Sequence, residues 1–260
     1  MPLTTVHAAL SGRRMVPGMT TRRLFLIRHG ESESNVAATA AEAEGSEEIR
    51  VRYRDADVPL TLLGERQAAA LGDRLTDDLG AHPADARLWS SPYRRAVHTG
   101  EIALGADADL MRDERLRDRE LGILDALTQL GVQRRLPLEF DRRRWLGKFY
   151  YRPPGGESWA DLALRIRSFV ADVDWRDDRP VVIFAHDAIV SVFLYVLLGL
   201  TESALADLLA ERAMTNASIT TLAHEPGGEW TLESLADDAH LTEAGLPVTH
   251  HHGVNDVEPM

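Results

Sequence analysis

The chain has 260 residues, of which 44% are hydrophobic and 27% charged, a composition that suits one α/β domain with a full buried core. Its formal net charge of −12 argues against a broad nucleic-acid-binding surface, which needs a net basic face. The absence of cysteine excludes disulfides and a thiolate nucleophile, and it suits the cytoplasm, where we expect the protein to act. The most apolar stretch, residues 188–200, is shorter than the ~20 residues of a membrane span. We therefore expect a buried helix there and no membrane partner.

The segment 1–22 precedes the first predicted strand. It has no sustained apolar stretch followed by a small-residue cleavage site, so it does not resemble a signal peptide. We expect a disordered N-terminal extension. Because Met15 and Met19 stand close to the first strand, a later start of translation is the alternative hypothesis for the beginning of the chain.

The first predicted elements alternate between strand and helix. Residues 24–27 form a compact apolar run, which predicts a buried strand. The following stretch to residue 57 is rich in alanine and glutamate and predicts a helix and then an exposed loop. Thr61 is a suitable N-cap for a helix in which leucines recur every four residues from Leu71 to Leu79.

The middle of the chain is less regular. Residues 87–89 predict a short strand, and Ser-Ser-Pro at 90–92 predicts a helix start, since serine caps helices and proline is tolerated in the first turn. Another short strand is expected at 109–111. Residues 125–156 are rich in arginine and aromatic residues and end in Pro-Pro-Gly-Gly. We interpret them as an inserted helical and loop subdomain.

The second half of the chain continues the alternation. A helix is predicted over 157–175 and a buried strand over 181–184. Two last strands, 218–223 and 230–235, are joined by Glu-Pro-Gly-Gly, which is typical of a hairpin. This pattern predicts a three-layer α/β/α fold with a mostly parallel central sheet and an antiparallel edge strand. The expected domain covers 23–240, including the insert, and a C-terminal tail follows over 241–260.

Two of the predicted strands are each followed, after one intervening residue, by a histidine. His29 follows the strand at 24–27, and His186 follows the strand at 181–184. In open α/β sheets, ligands bind beyond the carboxyl ends of the strands. If these strands are neighbours, both imidazoles meet at one edge of the sheet, each beside a helix N-terminus that favours an anion.

The residues around these histidines predict phosphoryl transfer. Arg28 precedes His29, and Arg94 and Arg95 open another strand-to-helix turn. Guanidinium donors match phosphate oxygens, and a neutral imidazole nitrogen is a competent nucleophile for phosphorus. The flanking cations should lower the pKa of His29 and keep it unprotonated. We expect a phosphorylated small molecule as the partner, and neither a metal nor another cofactor.

Five short motifs follow one another along most of the chain. They are Arg-His-Gly-Glu-Ser at 28–32 with Asn35, Pro-Leu-Thr at 59–61 with Gly64 and Gln67, Ser-Ser-Pro-Tyr-Arg-Arg-Ala at 90–96 with Thr99, Gly-Glu-Ser at 156–158, and His186, with Asn216 and Ser218 in the last block. In this order they resemble the histidine phosphatase superfamily, which includes cofactor-dependent phosphoglycerate mutases.

The resemblance implies that His29 is the nucleophile and becomes phosphohistidine. The residues implied to line the phosphate pocket are Arg28, Arg95 and His186, with Ser32 and Asn35 assisting. The general acid of the family is a carboxylate in the segment 116–122, where Asp118 aligns with the usual glutamate and Glu120 is the alternative donor. We favour Asp118 because its register with Gly122 supports it. Glu120 would then lie beside the substrate.

Two features depart from the family pattern. Asp187 stands where the family usually has glycine; it would cap the following helix, or lie beside the substrate and repel phosphate unless turned away. The segment between Asn35 and Pro59 lacks the motif that true mutases place there. The basic residues of the insert are either a solvated face or a contact for a second anionic group of the substrate: Arg142, Arg143, Arg144, Lys148 and Arg152.

Three functions are compatible with the sequence, in decreasing order of support. The first is a metal-independent phosphatase acting through phosphohistidine on His29. The second is a mutase that returns the phosphoryl group to another hydroxyl, and the third is a catalytically weak protein that binds a phosphorylated ligand. The substrate is not determined by the sequence, and a homodimer is compatible with it.

Overall fold

Six strands form one sheet in the computed structural model, which describes residues 21–79, 85–225 and 228–250. The order across the sheet is β3-β2-β4-β1-β5-β6. The strands are β1 (Arg22–Arg28), β2 (Arg87–Ser90), β3 (Met111–Arg112), β4 (Val181–Ala185), β5 (Ile219–His224) and β6 (Trp230–Asp237). The first four run parallel, β5 is antiparallel to β1, and the edge strand β6 is antiparallel to β5. The predicted sheet type is confirmed.

Helices cover both faces of this sheet. Within the described ranges they are α1 (Glu33–Ala43), α2 (Leu62–Leu79), α3 (Arg94–Leu104), α4 (Gln129–Arg135), α5 (Pro137–Tyr150), α6 (Trp159–Asp172), α7 (Asp187–Leu197), α8 (Glu202–Glu211) and α9 (Ala239–Glu243). Short 3₁₀ turns lie at Asp55–Asp57, Glu114–Leu116 and Gly122–Leu124. None of the described helices combines the length and the apolar character needed to cross a membrane.

The alternation of side chains along β1 divides the core into two layers. Leu24 and Leu26 pack on one face with residues of α6, α7 and α8, whereas Phe25 and Ile27 pack on the other with α2, α3 and α9. All four side chains are almost completely buried, because successive residues of a strand point to opposite faces and both faces are covered. The three-layer architecture follows from this pattern.

One predicted helix start is confirmed and another is wrong. Thr61 caps α2 as predicted, since its Oγ1 accepts a hydrogen bond of 3.0 Å from the Gly64 N–H. The Ser-Ser-Pro sequence does not start a helix: α3 begins at Arg94, and its N-cap Tyr93 makes no side-chain capping bond. Ser91 instead accepts from the Tyr93 N–H at 3.2 Å and reaches His186.

Two helices lie where the sequence predicts none. Thr201 caps α8 by accepting from the Ala204 N–H at 3.2 Å, but this helix buries only Leu205, so its apolar periodicity is weak. The short α9 places the fully buried Leu241 against the core beside α2. The first part of the C-terminal segment, for which no regular structure was expected, therefore packs against the core.

The predicted insert contains α4 and α5. These helices enclose a small apolar cluster of their own, formed by the buried residues Leu124, Val132 and Tyr151. The α5 helix is interrupted at Gly147, where φ is 78°. Residues 1–20 and 251–260, which include most of the predicted N-terminal extension and the end of the predicted tail, lie outside the described residues.

Candidate active site

The two predicted catalytic histidines lie side by side at the carboxyl ends of adjacent parallel strands. β1 pairs with β4 in a register that sets Arg28 opposite Ala185, so His29 and His186 follow at the same edge of the sheet. Their ring centroids are 5.3 Å apart. The His29 backbone N–H donates to the Ala185 carbonyl at 3.0 Å, which fixes one histidine against the strand that precedes the other.

Both imidazoles are held in the neutral form. His29 is 4% exposed and His186 is 1% exposed. Burial lowers the pKa of each histidine well below its ordinary value, and the nearby Arg95 and Arg28 lower both further. An unprotonated imidazole is the state that a nucleophile requires.

The tautomer of His29 is set by the next residue. Its Nδ1 lies 2.7 Å from the Gly30 carbonyl oxygen, which only accepts hydrogen bonds, so Nδ1 carries the proton. The lone pair of the neutral ring is therefore on Nε2. The His29 carbonyl in turn accepts from Asn216 Nδ2 at 3.2 Å and from the Ala217 N–H at 3.1 Å, which fixes the residue from behind.

The loop after His29 is packed backbone against backbone. The Gly30 N–H donates to Thr99 Oγ1 at 3.1 Å, and Thr99 Oγ1 donates to the Arg95 carbonyl at 2.7 Å. A Cβ atom added to Gly64 would lie 2.0 Å from the Glu31 carbonyl oxygen. The start of α2 can approach this loop only because residue 64 is glycine.

Arg28 supplies a buried cation beside the histidines. Its Nη1 donates to the Met214 carbonyl and lies 4.0 Å from the Asp187 carboxylate. Its Nε–H is buried and has no hydrogen-bond partner among the described residues. A buried donor without a partner is uncommon in a folded protein, and an anionic ligand would satisfy it.

Arg95, in the first turn of α3, is the second buried cation. It is 3% exposed, and its Nη2 donates to Asp118 Oδ2 at 2.9 Å. Asp55 contacts the same guanidinium, with 2.9 Å from Nη1 to Oδ1 and 3.3 Å from Nη2 to Oδ2. Asp55 was not predicted at the site, because it lies in a charged segment of a kind that is usually exposed.

His186 lies between a hydroxyl that contacts its Nε2 and a carboxylate that faces its Nδ1 without a hydrogen bond. Its Nε2 lies 2.8 Å from Ser91 Oγ, and its Nδ1 lies 3.3 Å from Asp118 Oδ2. Asp118 therefore contacts both Arg95 and His186. Glu120 points elsewhere: its side chain is 49% exposed and accepts a hydrogen bond of 2.8 Å from the Tyr93 hydroxyl.

The other predicted site residues lie at the edge of this cluster. Ser32 caps α1 and shares a capping box with Asn35, which connects it to the helix rather than to the imidazoles. Asn35 Oδ1 accepts from Asn216 Nδ2 at 3.2 Å and so supports the group that holds the His29 carbonyl. The expectation that Asp187 caps α7 is wrong, since the N-cap position is His186 and Asp187 is the first residue of the helix.

The site is also connected to the C-terminal segment. Thr249 Oγ1 donates to Asn216 Oδ1 at 3.1 Å, and the Asn216 N–H donates to the Thr249 carbonyl at 3.0 Å. Gln67 Nε2 donates to Thr249 Oγ1 at 3.0 Å, while Gln67 Oε1 accepts from the Glu31 N–H at 2.9 Å. Neither Gln67 nor Thr249 was predicted at the site, because they are far from each other and from His29 in the sequence.

Comparison with known proteins identifies the family. The sequence profile of the histidine phosphatase superfamily (branch 1) matches residues 24–238. The chain belongs to this superfamily. Its relatives are phosphatases and mutases that act through a phosphohistidine intermediate, as the motifs predicted.

Individual relatives match more than four fifths of the chain. Glucosyl-3-phosphoglycerate phosphatase of Mycobacterium tuberculosis is 31% identical over 223 residues, covering 82% of this chain and 88% of the relative. A probable phosphoglycerate mutase of Proteus mirabilis is 28% identical and covers 86% of this chain and 97% of its own length. The native structure of the mycobacterial glucosyl-3-phosphoglycerate phosphatase superposes with a TM-score of 0.64 at 30% identity, over 84% of this chain and 99% of that one.

Proposed function

We propose that this protein is a metal-independent phosphatase that hydrolyses a phosphomonoester through phosphohistidine on His29. One observation supports this most directly: the unprotonated Nε2 of His29 stands in a buried cluster with His186 and the guanidinium groups of Arg28 and Arg95. Cations close to a neutral nucleophile are suited to bind a phosphoryl group and to stabilise its charge during transfer.

The proposed reaction has two steps. In the first, Nε2 of His29 attacks phosphorus, the bond from phosphorus to the ester oxygen breaks, and Asp118 in its protonated form gives that oxygen a proton. In the second, the Asp118 carboxylate takes a proton from water, whose oxygen attacks the phosphohistidine. Inorganic phosphate then leaves, and His29 is neutral again.

Asp118 is the better candidate for the acid. It contacts Arg95 at 2.9 Å and faces His186 at 3.3 Å, so it lies at the phosphoryl site itself. Glu120 is half exposed and bonded to Tyr93. A general acid must come within hydrogen-bond reach of the leaving oxygen, and the position of Asp118 supports this role.

The substrate is proposed to carry a second acidic group. Arg119, next to Asp118 in the chain, is 8% exposed, and burial together with the nearby Arg143 lowers its pKa to about 10. Two cations buried close to each other are favoured when an anion binds between them. The phosphoglycerate derivatives named for the mycobacterial relative and the mutase relative have this chemistry.

A mutase remains the second candidate, favoured by the similarity to the Proteus mirabilis protein. Its first half-reaction would be identical, but the phosphoryl group would return to another hydroxyl of the substrate. Release of inorganic phosphate distinguishes the phosphatase from the mutase. A cytoplasmic location and a homodimer remain predictions from the sequence, and fractionation of the source cell and light scattering would test them.

The deciding experiment measures phosphate release from p-nitrophenyl phosphate, with a chelator present, for the wild type and His29→Ala. We expect turnover that the chelator does not change and that the variant lacks. His224→Ala is the matched control, because this residue pairs with Arg22 at the opposite end of the sheet. Activity that survives in His29→Ala would contradict the proposal, as would loss of activity on chelation.

A further inference from the structure

The terminal donors of Arg95 are all directed at acceptors of the protein. A guanidinium carries four N–H groups on its two terminal nitrogens. Nη1 donates to the Asp55 carbonyl at 2.6 Å and to Asp55 Oδ1 at 2.9 Å, while Nη2 contacts Asp55 Oδ2 at 3.3 Å and Asp118 Oδ2 at 2.9 Å. A phosphoryl group that uses this guanidinium must replace at least one carboxylate.

Asp55 is the carboxylate more easily replaced. It lies in the three-residue 3₁₀ turn Asp55–Asp57, and its side chain is 39% exposed, compared with 27% for Asp118. Its two carboxylate oxygens each accept a hydrogen bond from a different terminal nitrogen of the guanidinium. Phosphate oxygens bind arginine in the same bidentate geometry. Asp55 therefore occupies the donors that a phosphoryl group would use.

The charge of the site also disfavours an incoming dianion. With both histidines neutral, the guanidinium groups of Arg28 and Arg95 face the carboxylates of three residues, Asp55, Asp118 and Asp187. A phosphomonoester brings nearly two more negative charges at neutral pH, since its second pKa is about 6. Protonation of Asp118, the proposed general acid, removes one of these carboxylate charges, and protonation of Asp55 would remove a second and most of the remaining repulsion.

We propose that Asp55 competes with the substrate's phosphoryl group for Arg95, and that the phosphoryl group binds when the Asp55 carboxylate takes up a proton and releases the guanidinium. This inference rests on the proposed role of Arg95 in binding the phosphoryl group. It adds a specificity-determining residue whose ionisation controls access to the site.

The groups around Asp55 favour its protonation. Burial raises the pKa of its carboxyl, the contact with Arg95 opposes this, and the carboxylates of Asp118 and Asp125 raise it again. The Tyr93 hydroxyl also faces Asp55, and its own pKa is raised by burial, so it is neutral. On its other side the turn shares a pocket with charged and titratable side chains, those of Arg94, His98, Glu101 and Arg112. Because the pKa is raised, Asp55 gains a proton more readily as the pH falls, and an arriving phosphoryl group raises its proton affinity further.

Asp55→Asn tests the competition, since the amide keeps nearly the same shape and has no charge. Asp57→Asn is the matched control: Asp57 is in the same turn, but its carboxylate pairs with Arg54 at 2.7 Å. The probe is inorganic sulfate, a tetrahedral dianion that does not titrate in this range. Its dissociation constant is measured by titration calorimetry for the wild type and both variants from about pH 5 to about pH 8.

At the upper end of the range, we expect Asp55→Asn to bind sulfate about tenfold more tightly than the wild type, because one carboxylate no longer competes. The ratio should shrink as the pH falls, since Asp55 of the wild type then becomes protonated. Asp57→Asn should match the wild type. The Michaelis constant for p-nitrophenyl phosphate should fall in Asp55→Asn in parallel.

Two outcomes would overturn the inference. Equal sulfate affinity and an equal Michaelis constant in Asp55→Asn and the wild type would mean that Asp55 does not compete. Weaker binding in the variant at every pH would mean that Asp55 positions Arg95 instead. Both outcomes differ from the result that would contradict the proposed phosphatase mechanism. That result is hydrolysis that persists in His29→Ala, with either aspartate or asparagine at position 55.

Discussion

Replacement of Asp118 by asparagine should slow hydrolysis in proportion to the need of the leaving group for a proton. Asp118 is the carboxylate that contacts both Arg95 and His186, at 2.9 Å and 3.3 Å. Phenolate is a strong base, with a pKa of about 10 for its conjugate acid as for tyrosine. p-Nitrophenolate is much weaker and leaves without protonation. The loss of activity should therefore be large for phenyl phosphate and small for p-nitrophenyl phosphate.

The magnitudes follow from the positions of the two candidate acids. A positioned general acid contributes about 10²- to 10⁴-fold, so Asp118→Asn should lower kcat for phenyl phosphate by about that factor. Glu120 is 49% exposed and bonded to Tyr93. An exposed interaction contributes at most about 1 kcal/mol, so Glu120→Gln should change kcat by no more than about fivefold for either substrate.

The assay compares kcat for the two substrates in the wild type, Asp118→Asn and Glu120→Gln. The ratio of kcat between the two substrates distinguishes loss of the general acid from displacement of Arg95, because displacement would slow the hydrolysis of both substrates equally. Asp118→Glu is a further control and should recover part of the activity on phenyl phosphate. The assignment of Asp118 as the general acid would be refuted if Glu120→Gln lost more kcat on phenyl phosphate, relative to p-nitrophenyl phosphate, than Asp118→Asn does.

Three further predictions concern the supports of the site. Asn216→Ala should lower kcat about tenfold with little change in the Michaelis constant, because His29 loses one of the donors to its carbonyl. Gly64→Ala should destabilise the fold by about 1–3 kcal/mol, since its Cβ would lie 2.0 Å from the Glu31 carbonyl oxygen. Since His29 and His186 are neutral in the folded state and charged in the unfolded state below about pH 6, each should reduce the free energy of unfolding by about 1.4 kcal/mol per pH unit of acidification.

Steady-state kinetics test the first prediction, and a rise in the Michaelis constant alone would contradict it. Urea unfolding tests the other two. Alanine normally stabilises a helix relative to glycine. A gain in stability for Gly64→Ala would therefore show that the loop carrying the Glu31 carbonyl moves away from the added Cβ. The slope of unfolding free energy against pH should be smaller in His186→Asn than in the wild type. An equal slope would mean that His186 is protonated in the folded protein.

The sheet and the first residues of the site could be predicted because their signals are local. Residues 24–27 and 181–184 are apolar runs buried on both faces, and each is followed after one residue by a histidine. The carboxyl ends of parallel neighbours share one edge, so His29 and His186 were expected to meet if the two strands were neighbours, and β1 does pair with β4. The position of Arg95 followed from its motif and from the strand-to-helix turn that contains it.

The remaining contacts depend on distances between segments that sequence patterns do not encode. Asp118 and Glu120 lie in irregular backbone only two residues apart, so the direction of each side chain could not be predicted. Asp55 reaches Arg95 from an exposed loop, where acidic residues are usually solvated. The contact between Asn216 and Thr249 joins segments that show no shared pattern.

The hydrogen bonds of Thr249 give the end of the described chain a part in positioning His29. Thr249 holds Asn216 through its carbonyl and hydroxyl groups, and Asn216 holds the carbonyl of His29. A shortened protein that stops before Leu246 would keep every candidate catalytic side chain but would lose the hydrogen bonds between Thr249 and Asn216. We expect such a protein to fold around an intact sheet while its His29 loop becomes more mobile, so an activity measured on a trimmed chain would underestimate the enzyme.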